Sequence, residues 1–517
     1  MIDLNVCLVN SPFYTEEVTR IANPLVTNSS FSTSRLFVGY VSSYIASKGI
    51  SNDIIDFNLQ GIRYADLYKK INAWQYDVIC VYLDFQNEWL SLTCLARIAR
   101  ANKDSFIIAM GYYPTLGYHD LLRKRIADCC ILGEAEITIY EVVTAIFEKL
   151  SWKDVHGIAF FDGTEVRKTQ ARHLIDDINS LPYPIGNIEK KVSSVFASRG
   201  CNGKCTFCAK IHFYRTCTGS MYRRRSPQSV FEEITFLFNQ HGVTHIVFSD
   251  IDFIGNDLNS IAWIDDFLNL LEQSSLDICF ECTMRVSSII NTQNQLERFV
   301  ALGLIRVEVG VESFIERQLK LFCKQVNVEQ NIDALRILEK IDVGYYVDLI
   351  FFDPDVTVDE LIEYIEAVRK ISLFTKPKGT VRPLSSYSTV LPYENTPIDT
   401  YIKKKKLTSN EFPFYRFMDA GAERCYAMVK KWSKISGVHE IFEDKWFTHQ
   451  FYFPDCMKEY HSLYLELFRI DYNAIYDICI AIKKGNGDDF MIMENISGIY
   501  TKPINDIKLK IYSKVKN

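Results

Sequence analysis

The sequence lacks three things, and each absence narrows what it can be. It has no apolar run approaching the roughly 20 residues needed to cross a bilayer, so no membrane span is expected. Its opening, Met1-Ile-Asp-Leu-Asn-Val-Cys-Leu-Val-Asn10, carries an early acid and lacks the basic start and long apolar stretch of a secretory leader. It has no surplus of positive charge: 58 Lys and Arg against 64 Asp and Glu leave a formal net charge of −6, which gives no reason to expect a nucleic-acid partner. What remains is a globular chain of 517 residues, long enough for two or three domains. Its 15 cysteines would suggest disulfides in a secreted protein. Here Cys7, Cys80, Cys94, Cys279 and Cys479 fall inside apolar stretches, where a free thiol behaves as a small hydrophobe. A reducing cytoplasm suits such thiols, and a cytoplasmic location is expected.

The chain is organised around Ser198-Arg-Gly-Cys201-Asn-Gly-Lys-Cys205-Thr-Phe-Cys208. The preceding Ser193–Ser198 reads as a short buried strand. The cysteines therefore lie on a loop leaving the C-terminal end of a strand, where α/β folds place their sites. Thiolates suit iron–sulfur clusters and zinc. Three of them in one tight loop can hold three corners of a cubane cluster and leave the fourth iron open to a ligand. A structural zinc site would need a fourth ligand, for which His212 or Cys217 could serve, and would make the chain a non-catalytic zinc-binding or scaffold protein.

The Cys-x3-Cys-x2-Cys spacing, with the aromatic Phe207 just before the third cysteine, resembles the radical S-adenosylmethionine (SAM) superfamily. The resemblance implies a 4Fe-4S cluster on Cys201, Cys205 and Cys208, SAM chelated at the open iron, and a partial (β/α)6 barrel over residues 191–400. The downstream alternation fits. Ser226-Pro227 opens a helix with an N-cap serine and a proline at its first position. Strands follow at 245–249, 277–281, 306–310 and 345–352, and a helix is capped near Thr357. Among the SAM contacts that the resemblance implies, Phe207 lies in the cysteine loop and Asp250 would accept from the amino group or ribose. Glu281 and Arg285 follow the third strand, where the guanidinium would pair with the carboxylate. Gly310-Val-Glu312-Ser313 matches the family's Gly-x-Glu-Ser, with Gly310 allowing close backbone approach and Glu312 accepting from the ribose.

Residues 1–150 alternate apolar strands (6–9, 53–56, 77–82, 106–111, 129–132) with helical stretches. That pattern argues a parallel sheet covered on both faces, flavodoxin-like, with ligands at the C-terminal strand ends. Three loops there resemble the cobalamin-binding domain that precedes the radical SAM core in one large subfamily: Asp56, Asn58 and Gly61; Gly111 through Thr115; and Gly133, Glu134 and Glu136. Asn58 stands where methionine synthases and mutases place the histidine that ligates cobalt, so cobalamin would bind without a histidine lower ligand. Tyr112, in place of a second glycine, keeps open a domain that has lost its cofactor.

Residues 151–190 read as a connector with a hairpin arm at 158–163. Residues 401–517 read as a mostly helical cap on the substrate site, with helices at 420–436 and 455–484 and an exposed turn at Lys403–Lys406. Tyr222-Arg-Arg-Arg225 is either a solvated basic loop or a contact for cobalamin, SAM or an anionic substrate. The expected activity is methylation of an unactivated carbon in a small-molecule or peptide substrate, with electrons from a flavodoxin- or ferredoxin-type donor. The alternative is a radical rearrangement, ring contraction or oxidation without methyl transfer. A methylthiotransferase is set aside, because Cys7, Cys80 and Cys129-Cys130 do not lie at the loop positions of that family's second cluster.

Overall fold

The computed structural model of the chain describes residues 2–12, 29–57, 74–85, 88–186, 188–189, 191–255, 258–371, 373, 379–386, 388–441 and 454–514. It divides into two compact units: Met1–Asn202, Cys208–Phe253 and Trp263–Phe280 form the first, and Gly203–Phe207, Ile254–Ala262 and Glu281–Asn517 the second.

The first unit is built on strands β1 (Ile2–Asn10), β2 (Ile50–Asp56), β3 (Val78–Tyr82), β4 (Phe106–Met110) and β5 (Cys129–Ile131), parallel in the order β2-β1-β3-β4-β5. Alternate side chains serve two cores. Val6, Leu8, Val78, Cys80 and Ile108 pack with Leu36, Val41, Ile139 and Val142 from helices α1 (Ser29–Ser47) and α4 (Glu136–Phe147). Cys7, Val9, Ile79, Val81 and Ile107 pack with Cys94, Leu95, Leu121 and Leu122 from α2 (Glu88–Ala101) and α3 (Tyr112–Arg123). This double covering is why the strands read as unbroken apolar runs; each buried aliphatic side chain contributes about 1.5–3 kcal/mol. The strand order reverses between β1 and β3, the switch point at which such sheets hold ligands. The hairpin β6 (Ile158–Phe161) and β7 (Val166–Lys168) extends the sheet antiparallel beyond β5.

The same unit holds β8 (Ile188–Glu189), β9 (Val192–Val195) and β12 (His245–Phe248), with β9 and β12 parallel, and a separate antiparallel ribbon of β10 (Ser198–Gly200) and β11 (Tyr222–Arg224). Helix α5 (Ala209–Arg215) follows the cysteines. Helix α6 (Pro227–His241) starts as expected: the Ser226 hydroxyl accepts from Ser229 N at 3.1 Å, and Gly242 closes it in the left-handed region.

In the second unit, β13 (Cys279–Arg285, its first two residues belonging to the first unit), β14 (Leu304–Glu312), β15 (Gly344–Leu349) and β16 (Gly379–Val381) lie in chain order. The strand–helix alternation thus continues through a sixth strand, the three-residue β16, which the sequence did not reveal. Asn327 and Thr357 form capping boxes with Gln330 and Glu360 at the helices after β14 and β15. The tail is helical at Ala420–Ser436, Pro454–Lys484 and Asp489–Lys514. Two expectations need correcting. Lys403 and Lys404 close the helix Pro397–Lys404, where cations complement the C-terminal dipole, so only Lys405 and Lys406 lie in the turn. Cys279 is exposed at the start of its strand rather than buried. Among the described residues no helix is long and apolar enough to cross a membrane.

At the centre of the tail, Trp432 is fully buried and its Nε1 donates to Asp471 at 2.9 Å, while Ser385 N donates to the other carboxylate oxygen at 3.0 Å. Burial pushes the Asp471 carboxyl up to about 6 from an ordinary 3.8. The folded state therefore keeps a proton that the unfolded chain has released, an advantage of about 3 kcal/mol that is lost as pH rises from about 4 to 6. Asp471→Asn should remove this dependence. Thermal melts across that window should show the stability difference between native protein and variant growing toward acid; a flat difference would mean the carboxyl is ionised throughout.

Candidate functional site

The strand expected at 193–198 is broken: β9 ends at Val195, and the cysteine loop leaves β10 of the separate ribbon. Cys201 directly follows β10, Cys208 is the N-cap residue of α5, and Cys205 lies between them in the segment 203–207 that belongs to the second unit. That segment is pinned within its unit: Thr206 N donates to Phe322 O at 3.0 Å, Thr206 Oγ1 to Leu321 O at 2.8 Å, and Ile398 N to Thr206 O at 3.2 Å. Phe207 packs edge-on against Phe322. Cys201 and Cys205 are buried and Cys208 half-buried, and none forms a disulfide. Among the described residues no three His, Cys, Asp or Glu side chains stand gathered as a metal site. The fit to a cluster therefore rests on the donor chemistry, three soft thiols at close spacing on one loop. Cys217, one candidate for a fourth zinc ligand, is turned elsewhere: its Sγ lies 3.7 Å from Leu132 O and against Gly133.

The chain entering the loop is tightly constrained. Gly200 has φ +86°, and a Cβ there would run into the carbonyl oxygen of Met221 across the ribbon. Asp250, expected at SAM, faces this strand: its carboxylate accepts from Ala197 N at 3.1 Å and from the Ser198 hydroxyl. Burial pushes Asp250 up to about 6. Glu134, expected at cobalamin, is buried among cations. It accepts from Arg199 at 3.2 Å, from Arg223 at 2.8 and 2.9 Å, and from Ile175 N at 2.8 Å, while Arg199 also donates to Glu136 at 2.6 Å. Burial alone would raise the Glu134 carboxyl, but Arg199 and Arg223 outweigh it and hold it below the usual value. Two arginines of the basic run 222–225 are accordingly neither solvated nor open to a ligand, while Tyr222 and Arg224 are half-buried. Arg223 pairs with Glu134 and Arg225 with Glu233, and both arginines are buried.

In the second unit the strand-end residues form a polar face. Along β14, Arg306, Glu308, Gly310 and Glu312 are half-buried while Val307, Val309 and Val311 are buried. Glu281 pairs with Arg306, and Arg285 reaches Lys324 O and Gln325 Oε1 at 3.4 Å. Glu312 adopts φ +65° and pairs with Lys324 at 3.1 Å. A Cβ on Gly310 would lie 3.0 Å from Glu312 Oε1 and 3.2 Å from Lys324 Nζ. Burial raises the Cys205 thiol, opposed by Lys324 and Arg285. Burial alone would lower Lys324, but Glu312 and Cys205 outweigh it and hold the ammonium above its ordinary value. The structure thus gathers Cys205, Arg285, Gly310 and Glu312 around a buried lysine that sequence reasoning missed. Asp348 was missed too. Hydrogen-bonded to Glu308, it is pushed well up by burial, then by Glu308 and Glu312.

At the C-terminal ends of the N-terminal sheet, Asp56 accepts from Arg35 Nε and Asn10 Nδ2, both at 3.1 Å. Thr115 Oγ1 bridges Gly111 O at 2.8 Å and Gly133 N at 3.1 Å. Both glycines have positive φ, but what approaches them is the protein itself: Leu83 O and the Tyr82 ring at Gly111, Cys217 at Gly133. Tyr112 packs edge-on to Phe37 and Phe213 in the core. Asn58 and Gly61 lie outside the described residues. The Oδ1 of Asn10, buried at the β1/β3 switch point, has no hydrogen-bond partner among the described residues. A buried orphan acceptor calls for a donor, and the amide side chains that fringe a corrin provide such donors, so this end of the sheet fits cobalamin.

The profile of the radical SAM superfamily matches residues 195–368. An uncharacterized methyltransferase of Pyrococcus horikoshii is 23% identical over 423 residues, spanning 80% of this chain and 84% of that protein. The anaerobic magnesium-protoporphyrin IX monomethyl ester cyclase of Cereibacter sphaeroides is 24% identical over 324 residues, which cover 59% of this chain and 52% of the cyclase. The solved structure of the cobalamin-dependent S-adenosylmethionine radical enzyme OxsB, with aqua-cobalamin and S-adenosylmethionine bound, superposes with a TM-score of 0.76 at 18% identity, over 99% of this chain and 80% of that one. Residues 195–368 thus match the radical SAM superfamily, and the chain has the fold of the cobalamin-dependent radical SAM enzyme OxsB.

Proposed function

We propose that the chain methylates an unactivated carbon of a small-molecule or peptide substrate. The observation that carries this is the cysteine loop, three thiols free of disulfides with Lys324 and Glu312 beside Cys205. Cys201, Cys205 and Cys208 would hold a 4Fe-4S cluster, which would supply the electron for reductive cleavage of SAM, and cobalamin held by residues 1–150 would supply the methyl group. Gly310, without a side chain, lets backbone approach the adenosyl group. Glu312 offers an acceptor to ribose hydroxyls and Arg285 a cation to the carboxylate. Glu281 holds Arg306, and Asp250 holds the strand before Cys201. Asn10 offers its free oxygen to a corrin amide. We assign cobalamin binding to residues 1–150, the connector to 151–190, radical chemistry to 191–400 and substrate choice to the helical region 401–517. An oxygen-sensitive cluster suits a cytoplasmic setting and a flavodoxin- or ferredoxin-type donor.

The test is anaerobic reconstitution with iron, sulfide and hydroxocobalamin, followed by product analysis with methyl-labelled SAM. Bound iron and corrinoid together, with label gained by the substrate, are expected. The likeness to the cyclase favours a second reading, radical rearrangement or ring formation without methyl gain. SAM cleavage with no label in product would select it, and zinc in place of iron would overturn both.

A further inference from the structure

Arg199 and Arg223 lie directly opposite each other in the β10–β11 ribbon, and both are buried. Like charges at facing positions of an antiparallel pair repel, and here they do so away from water. The ribbon by itself should therefore open. What closes it comes from the loop after β5 and the start of α4. Glu134 accepts from both arginines, and Glu136 from Arg199. Two anions thus balance two cations, all at least nine-tenths buried. Arg199 also lies over the Tyr40 ring at 4.8 Å and Arg223 over Tyr214 at 5.5 Å. Arg223 keeps its Nε and Nη2 without partners among the described residues, so its hydrogen bonds to Glu134 and Ile175 O all run through Nη1. Two residues beyond Arg199 stands Cys201, and at Gly200 between them Met221 O leaves no room for a side chain.

We propose that Glu134 and Glu136 are positioning residues of the cluster loop: they hold the β10–β11 ribbon closed and thereby set Cys201. This departs from the expectation that Glu134 contacts cobalamin, and it rests on the reading of Cys201 as a cluster ligand. The loop after β5 then has two tasks, supporting the nearby strand ends through Thr115 and fixing the root of the cysteine loop through its carboxylates.

Removing one partner of a buried ion pair strands the other charge, whereas removing both is far better tolerated. Glu134→Gln should therefore open the ribbon, and Glu134→Gln with Arg223→Met should close it again. The first readout is site-resolved alkylation of the metal-free protein, followed by mass spectrometry. Cys201 should react several-fold faster in Glu134→Gln, Cys205 should keep its rate, and the double variant should return Cys201 toward the native rate. The second is separate counting of iron and corrinoid after reconstitution, in which Glu134→Gln should lose most of its iron and keep its corrinoid. Corrinoid loss with iron and Cys201 reactivity unchanged would overturn the proposal in favour of a direct cobalamin contact. Unchanged iron, corrinoid and alkylation would show that the ribbon is held by other means. If Glu134→Gln does not fold, Glu136→Gln, which removes one carboxylate charge facing Arg199 and leaves an oxygen to accept its hydrogen bond, should give the same pattern at smaller size; native alkylation in that variant would be decisive against it. Failure of the native protein itself to take up iron would instead strike the proposed function, and the alkylation result would stand apart from it.

Discussion

Cys205→Ser should leave a folded protein that takes up little iron and no longer cleaves SAM, a fall of more than about 10³ in rate, since the reaction depends wholly on the lost cofactor. The thiol is buried and the substitution small. The segment around it is fixed by Thr206 and Phe207 through contacts the variant keeps. A change confined to one side-chain atom should move thermal stability by about 1 kcal/mol. A hydroxyl is a hard, weakly acidic donor and a poor replacement for a thiolate at iron. Cys217→Ser is the control. Its sulfur faces Leu132 O and Gly133, so iron uptake and SAM cleavage should survive. The pair of variants also decides between cluster and zinc. A structural zinc site drawing on Cys217 would lose its metal in both, and the metal lost would be zinc. Iron and acid-labile sulfide assays on both proteins, with SAM cleavage followed by release of 5′-deoxyadenosine, give the answer.

The particular residues show why some features were legible and others not. Strands β1, β3, β4 and β5 were readable because both faces are buried, which writes an apolar run into the sequence, whereas the edge strand β2 shows only the short Ile54-Ile55 pair. The caps at Ser226 and Thr357 were readable because their partners lie three residues away. Strand β16 has only three residues, too few for any periodicity. The glycines at 111 and 133 read as points where a flat ring approaches the backbone, and in the structure other parts of the chain come close there. The sequence could not say what approaches, because Leu83 and Cys217 lie 28 and 84 residues distant in the chain. The arginines at 223 and 225 looked solvated for the same reason: Glu134 is 89 residues upstream of Arg223. The alternation Arg306-Val-Glu308-Val-Gly310-Val-Glu312 did carry a signal, a strand with one apolar and one charged face. Read that way it would have exposed Glu308, and with it the partner that Asp348 finds on the next strand. Lys324 left no trace, since nothing in Leu321-Phe-Cys-Lys324-Gln marks a cation for burial.

Lys324→Met should be the most damaging substitution outside the cysteines. Lys324 is 5% exposed at its side chain and Glu312 13%, so the variant strands a nearly buried carboxylate. Breaking one side of such a pair costs about 3–5 kcal/mol. Glu312 is held at φ +65°, a conformation that non-glycine residues adopt only under constraint, and the ion pair is part of that constraint. Lys324→Met with Glu312→Gln should recover much of the loss, because no charge is then left alone. The functional effect should outlast this recovery. Lys324 is the main counter-charge to Cys205, and the potential of an iron–sulfur cluster follows the net charge around its thiolates. Taking away a cation favours the oxidised form, so the midpoint potential should fall in both the single and the double variant relative to Glu312→Gln. Iron affinity should also weaken, by about the 10–100-fold typical of lost outer-sphere partners. A redox titration followed by electron paramagnetic resonance reads the potential without needing a substrate. A potential unmoved while stability drops would confine Lys324 to holding Glu312. A lowered potential in the stability-restored double variant would place its charge at the cluster, where it makes reduction easier and so helps the electron reach SAM.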